Sequence, residues 1–204
     1  RLDAAAQVML TTEAEAKLRA ALEREPGNGR VLNRLGLRLQ ERGEFAEAEK
    51  VCRRAVAAFE AQLGKDHPNT MSAVNNHALA LHRQGELAQA EQMFRRVLAW
   101  EEANLEQDDP KTLITVNNLA GVLREQGQLV QAEELHRRVL AKYKAQLGED
   151  HPDTLRSMNN LGQLLRERGQ LDQAEELLRR TLTMSKARHG EGHPDTLRTM
   201  LNLA

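Results

Sequence analysis

The sequence predicts an all-α protein, a right-handed solenoid of stacked antiparallel helix pairs. Three observations predict it. Gly43, Gly85, Gly127 and Gly169 recur every 42 residues, as do Pro68, Pro110, Pro152 and Pro194, each with a threonine two residues on (Thr70, Thr112, Thr154, Thr196). Ala48, Ala90, Ala132 and Ala174, each followed by glutamate, keep the same step, and so do the pairs Arg53-Arg54, Arg95-Arg96, Arg137-Arg138 and Arg179-Arg180. Between these marks the apolar residues fall at helical spacing and no strand alternation occurs. A fixed period in this range means units that bury their apolar faces only against their neighbours.

The elements follow in order. Upstream of the periodic region, Thr12-x2-Glu15 reads as a capping box opening a helix. That helix continues through Leu18, Ala21 and Leu22 and stops before Pro26-Gly27-Asn28. Within the array, the unit beginning at Thr154 is the clearest. Leu155, Met158, Leu161, Gly162 and Leu165 stand at steps of three and four, one face of a first helix. Gly169 ends it. Leu171, Ala174, Leu177, Leu178, Thr181 and Leu182 carry a second helix to near Gly190. Glu175 and Glu176 precede Arg179 and Arg180 by one turn. This predicts Glu175–Arg179 and Glu176–Arg180 pairs in the order the helix dipole favours. His193-Pro194 opens the next unit with proline in the first turn, where a missing N–H is tolerated.

These residues carry a resemblance. Val74-x2-His77-Ala78-x2-Leu81 and Met158-x2-Leu161-Gly162-x2-Leu165 resemble the first-helix signature of the tetratricopeptide repeat, and Ala90-x3-Phe94 and Ala174-x3-Leu178 its second-helix signature. The usual repeat has about 34 residues, so the second helix here is expected to be longer by about two turns. The junctions Leu63-Gly64-Lys65-Asp66-His67-Pro68-Asn69-Thr70 and Leu147-Gly148-Glu149-Asp150-His151-Pro152-Asp153-Thr154 resemble the kinesin light chain type of repeat, as do Asn117-Asn118-Leu119-Ala120 and Asn159-Asn160-Leu161-Gly162. Repeat one departs with Asn33-Arg34, and repeat two carries His77 at a core position and closes on Asp109-Pro110 without the histidine. No sustained heptad is present, so the sequence does not support association with a motor subunit.

The expected units are 1–28, the remnant of a preceding repeat; 29–70, 71–112, 113–154 and 155–196, the four full repeats; and 197–204, the start of a further one. The parent protein is expected to continue beyond both ends.

Composition excludes several function classes. Hydrophobic residues are 40% and charged residues 29%, the balance of a soluble protein. Aromatics are 2%, too few for a base-stacking ladder, and the net charge of −1 gives no field for nucleic acid or an anionic membrane. Nucleic-acid partners and membrane insertion are therefore not expected. Cys52 is the single cysteine, which excludes a disulfide framework. An intracellular, cytoplasmic protein is expected, although targeting is unreadable in a chain that opens at Arg1. No nucleophile–base constellation, phosphate loop or metal spacing occurs, so no enzyme, cofactor or metal is expected. His67, His151 and His193 read as loop residues leading into helices, because equivalent positions in stacked repeats do not converge as metal ligands must. Cys52 reads as inert core packing, and Trp100 and Tyr143 as packing against the following repeat. The arginine pairs read as solvated partners of the preceding glutamates.

The resemblance implies that the first helices line a concave face. The groove positions are then Asn75, Asn76 and His82; Asn117, Asn118 and Arg124; Arg156, Asn159, Asn160 and Arg166; and Arg198 and Asn202, with Arg30, Arg34 and Arg38 in repeat one. In related tetratricopeptide proteins an asparagine matching Asn76, Asn118, Asn160 and Asn202 contacts bound peptide. Asparagine amides satisfy a peptide backbone without reading its sequence, and arginines fork onto carboxylates. The expected function is an adaptor that captures an extended, acidic segment of a protein partner. The alternatives are a structural scaffold that uses convex or end surfaces, and the sensor array of a STAND-type signalling ATPase. In the scaffold reading the Asn and Arg side chains form a solvated face or link neighbouring helices.

Overall fold

The computed structural model describes residues 4–106 and 109–203, with side chains described from residue 13 onward. Among the described residues it holds ten helices and no strand. Two compact units divide it at Leu105/Glu106. The first contains α1 (Ala4–Arg24), α2 (Gly29–Glu41), α3 (Phe45–Leu63), α4 (Pro68–Arg83) and α5 (Leu87–Asn104). The second contains α6 (Pro110–Glu125), α7 (Leu129–Leu147), α8 (Pro152–Glu167), α9 (Leu171–His189) and α10 (Pro194–Leu203). Within each unit every helix packs on the next, and α2 also meets α4, as α8 meets α10. Within each unit the first helices of successive repeats are thus neighbours.

The recurring residues make the turns. Gly43, Gly85, Gly127 and Gly169 have φ of +80, +82, +78 and +73°, the left-handed conformation that glycine adopts without a Cβ clash. After the first of them, the Glu44 N–H returns to the Leu39 carbonyl at 2.9 Å, closing the helix end. The His-Pro junctions cap the first helices. Nδ1 of His67, His151 and His193 accepts the backbone N–H of Asn69, Asp153 and Asp195 at 3.1, 3.2 and 3.2 Å. Asp109 does the same for Lys111 at 2.8 Å, which explains why repeat two closes without a histidine. The recurrent threonines tie this loop down: Thr70 Oγ1 donates to the Gly64 carbonyl at 2.8 Å and Thr154 Oγ1 to the Gly148 carbonyl at 2.7 Å.

The core lies between paired helices, where a small residue on the first faces a larger one on the second. A Cβ on Gly36 would stand 2.4 Å from Cys52 Sγ, and one on Gly162 would stand 2.6 Å from Leu178 Cγ. Phe94 and His136 occupy the same register in α5 and α7, and all four side chains are buried. Burial pushes the Cys52 thiol up to about 12, so it is a packing residue rather than a nucleophile.

Three expectations need correction. Helix α1 is under way from Ala4, so Thr12 lies inside it and opens nothing; the run Ala4-Ala5-Ala6 favours helix strongly. The side chain of Thr12 lies outside the described residues. Of the two pairs predicted on α9 one forms: Arg179 bonds Glu175 at 2.7 Å, whereas Arg180 reaches Glu149 in the preceding loop instead of Glu176. Arg96 likewise bonds Glu60 of α3, at 2.8 Å. Arg96 and Arg180 therefore staple adjacent repeats. Trp100 packs backward, on Met71 and Val74, and donates Nε1–H to the Asp66 carbonyl at 2.7 Å.

Candidate functional site

The asparagine pairs form rungs between neighbouring first helices. Asn76 Nδ2 donates to Asn33 Oδ1 at 2.9 Å, Asn160 Nδ2 to Asn117 Oδ1 at 3.4 Å, and Asn202 Nδ2 to Asn159 Oδ1 at 3.1 Å. Asn76 and Asn159 are buried, the latter 2% exposed. This places Asn159 beneath the face, with the rung rather than with ligand-accessible groups. The Asn75 Oδ1 atom is also buried and has no hydrogen-bond partner among the described residues. His82 is half-buried on α4.

In the second unit the arginines are engaged. Arg124 donates to Gln163 Oε1 at 2.9 Å and lies 3.8 Å from Glu167. Arg156 pairs with Asp153 at 2.6 Å and Arg198 with Asp195 at 3.2 Å. Arg166, exposed, donates to the Asn202 carbonyl at 2.5 Å and pairs with no carboxylate among the described residues. Asn118 makes no side-chain hydrogen bond among the described residues, and Asn160 keeps its carbonyl oxygen and one N–H. These two amides open on a cavity of about 230 Å³ between α6 and α8, with Asn117, Arg156, Ser157 and Tyr143 around it. Tyr143 thus lies under two first helices. Burial acts first on its phenol, with Asp153 adding to it, and together they hold its pKa above the ordinary value.

Two features carry charge or polarity into the core and were not singled out as sites by sequence. Glu133 is 8% exposed and holds both Arg137, at 2.7 Å, and Arg168 of the next first-helix end. Burial is the largest influence and acts to raise its pKa, but the two guanidiniums outweigh it and keep the carboxyl below its usual range. In the first unit Glu15 bridges Arg19 and Arg42 in the same manner, at 2.9 and 2.6 Å. His136 is 3% exposed with Nδ1 unpartnered, and burial, joined by Arg124, pushes its pKa down to about 4. The signal for His136 was available: a histidine stands where the other repeats have Cys52, Phe94 and Leu178.

Among the described residues, no group of histidine, cysteine and carboxylate side chains converges as a metal site would require, and no helix is long and apolar enough to cross a membrane.

A family model described as Tetratricopeptide repeat matches residues 28–99 and 111–187. Among solved structures, the chain is similar to TPR-like repeats assigned to a kinesin light chain of Podosopora anserina, with 26% identity, 87% of this chain and 84% of that chain covered, and a TM-score of 0.75. It is also similar in fold to BtubC (BKLC) from P. vanneervenii, at 21% identity, covering 100% of this chain and 82% of that one, with a TM-score of 0.75. MamA from Desulfovibrio magneticus RS-1 shares the fold at 14% identity, covering 88% of each chain, with a TM-score of 0.67. No curated protein matches the chain.

Proposed function

The chain belongs to the tetratricopeptide repeat family, as a protein-interaction module of the kinesin light chain-like type, and from that premise we propose that its first helices bind an extended peptide segment of a protein partner. The supporting observation is the pair of half-buried amides, Asn118 and Asn160, that open on the cavity between α6 and α8 with unused donors and acceptors. Such amides complement a peptide backbone, which presents both N–H and C=O along its length. Acidic residues in the partner are part of the proposal. Arg166, paired with no carboxylate among the described residues, is the cation best placed to meet one, whereas Arg124 and Arg156 must exchange an internal partner. The module acts by binding and performs no chemistry of its own.

The test is titration of a partner's segment against variants. Replacing Asn118, Asn160 or Arg166 by alanine should weaken binding by about 1–3 kcal/mol, the range for losing a hydrogen bond to a charged or buried group. Added salt should weaken it further, since an open groove is screened. Arg95→Ala and Arg179→Ala, on second helices, should change little. The opposite pattern would favour a scaffold that uses the outer surface, a reading supported by Val130 and Leu171, which are 57% and 63% exposed at the starts of α7 and α9.

A further inference from the structure

The cavity between α6 and α8 is defined by groups that lack partners. Ser157 is 2% exposed, yet its Oγ makes no hydrogen bond among the described residues. The Asn118 amide and the Tyr143 hydroxyl beside it are also without hydrogen-bond partners among the described residues. A buried polar group left unsatisfied is destabilising, and of the three Ser157 Oγ is the one that is buried, so its place in the wall calls for an occupant that completes it. All three groups can both donate and accept.

Charge narrows the choice of occupant. The wall carries one cation and one anion, Arg156 and Asp153, and they are paired with each other at 2.6 Å. An entering carboxylate would meet Asp153 with no free cation to offset it. An ammonium would meet Arg156 in the same way. An aliphatic side chain would leave Ser157 unsatisfied and dry, the costlier outcome. A neutral group with a donor and an acceptor on one short head satisfies all of these conditions. The volume, about 230 Å³, suits one side chain. Ile114, 50% exposed, stands at the mouth, where it can cover the methylenes of that side chain.

We propose that this cavity takes the primary carboxamide of an asparagine or glutamine in the bound peptide, so that the partner is selected by an amide as well as by its acidic residues. This rests on the reading of the first helices as the peptide-binding face. The probe is a random peptide display library selected on the whole chain, followed by titration of the winning synthetic peptides. One position is expected to enrich in Asn or Gln. Changing it to Asp, Glu or Leu is expected to weaken binding by about tenfold or more. Ser157→Ala should fold and melt no lower than the parent, because it removes an unsatisfied hydroxyl, and it should erase most of the discrimination between Gln and Leu. Ser157→Val, which fills the inner end, should abolish that site's contribution. Peptides that lose binding to Asn160→Ala and Arg166→Ala but show no amide preference would overturn the carboxamide proposal alone. A Ser157→Ala variant that melts lower, or keeps full Gln-over-Leu discrimination, would do the same. Peptides indifferent to every first-helix variant would overturn the peptide-binding face itself.

Discussion

Changing His136 to phenylalanine should make the second unit less sensitive to acid, by an amount that the structure sets. The imidazole is 3% exposed and its Nδ1 is unpartnered. Burial, with Arg124 adding to it, lowers its pKa from 6.5 to about 4. Between those values the unfolded chain binds a proton that the folded one refuses, so stability rises with pH there. Followed toward acid, stability begins to fall near pH 6.5 and the loss is complete below about pH 4. The whole interval is worth about 3 kcal/mol, of which about 2 kcal/mol is gone by pH 5. The neighbouring acid Glu133 works in a lower window. Its carboxyl lies below the usual range, so its contribution is present above the ordinary carboxylate pKa and is lost only as pH falls through the lowered value. Urea titrations at pH 7 and pH 5 therefore isolate the histidine. Phe94 fills the same register in α5 at 0% exposure, so phenylalanine has a precedent there. The parent should lose about 2 kcal/mol more than His136→Phe between the two pH values. Equal losses in both proteins would refute the reasoning.

Three further outcomes follow from packing. Ala90→Asp and Ala174→Asp put an unpaired carboxylate at sites 0% and 1% exposed, and each should cost at least about 3 kcal/mol in a thermal or urea melt; an unchanged melt would show these alanines face solvent. Gly162→Ala drives a methyl to 2.6 Å from Leu178 and should cost about 1–3 kcal/mol, whereas Gly27→Ala, with nothing within 4 Å, should stay within about 0.5 kcal/mol; equal effects of the two would contradict the packing. Cys52, with its thiol pushed up to about 12, should react with a thiol reagent at mildly alkaline pH only at the rate the repeat opens, and immediate labelling of the native protein would refute its burial.

Much of the fold was legible because its marks are local. A glycine at positive φ, a proline in a first turn and a side chain that caps the next N–H each act within a few residues, and a repeat multiplies the signal. The staples between repeats were harder. Arg179 and Arg180 are sequence neighbours on one helix, but they point about 100° apart, so one meets its own helix and the other the preceding loop. Periodicity alone cannot divide them, because it repeats both equally. His136 was obscured by a different rule: an apolar pattern counts a histidine as neutral, and only its register with Cys52, Phe94 and Leu178 exposes the cost.

The asparagines show most clearly where reading the period stopped short of reading the site. The pairs recur every 42 residues, yet the rungs join residues 43 apart: Asn33 to Asn76, Asn117 to Asn160 and Asn159 to Asn202. In every rung the second asparagine of one repeat donates to the first of the repeat before it. The pair is therefore a donor and an acceptor facing opposite neighbours, rather than two copies of one ligand-binding group. Repeat one keeps only the acceptor, Asn33, with Arg34 at the donor position. The rung engages one N–H of the donor amide and leaves its carbonyl and second N–H available. The same asparagine can thus brace the stack and meet a ligand, and its two roles are separable by experiment. Asn117→Ala removes only the acceptor of a rung and should loosen the α6–α8 contact, at a cost of about 1 kcal/mol in stability. Asn118→Ala removes an amide that has no hydrogen-bond partner among the described residues, and should leave the melt unchanged while weakening a bound peptide. If both variants lower stability equally, the division of labour within the pair is wrong.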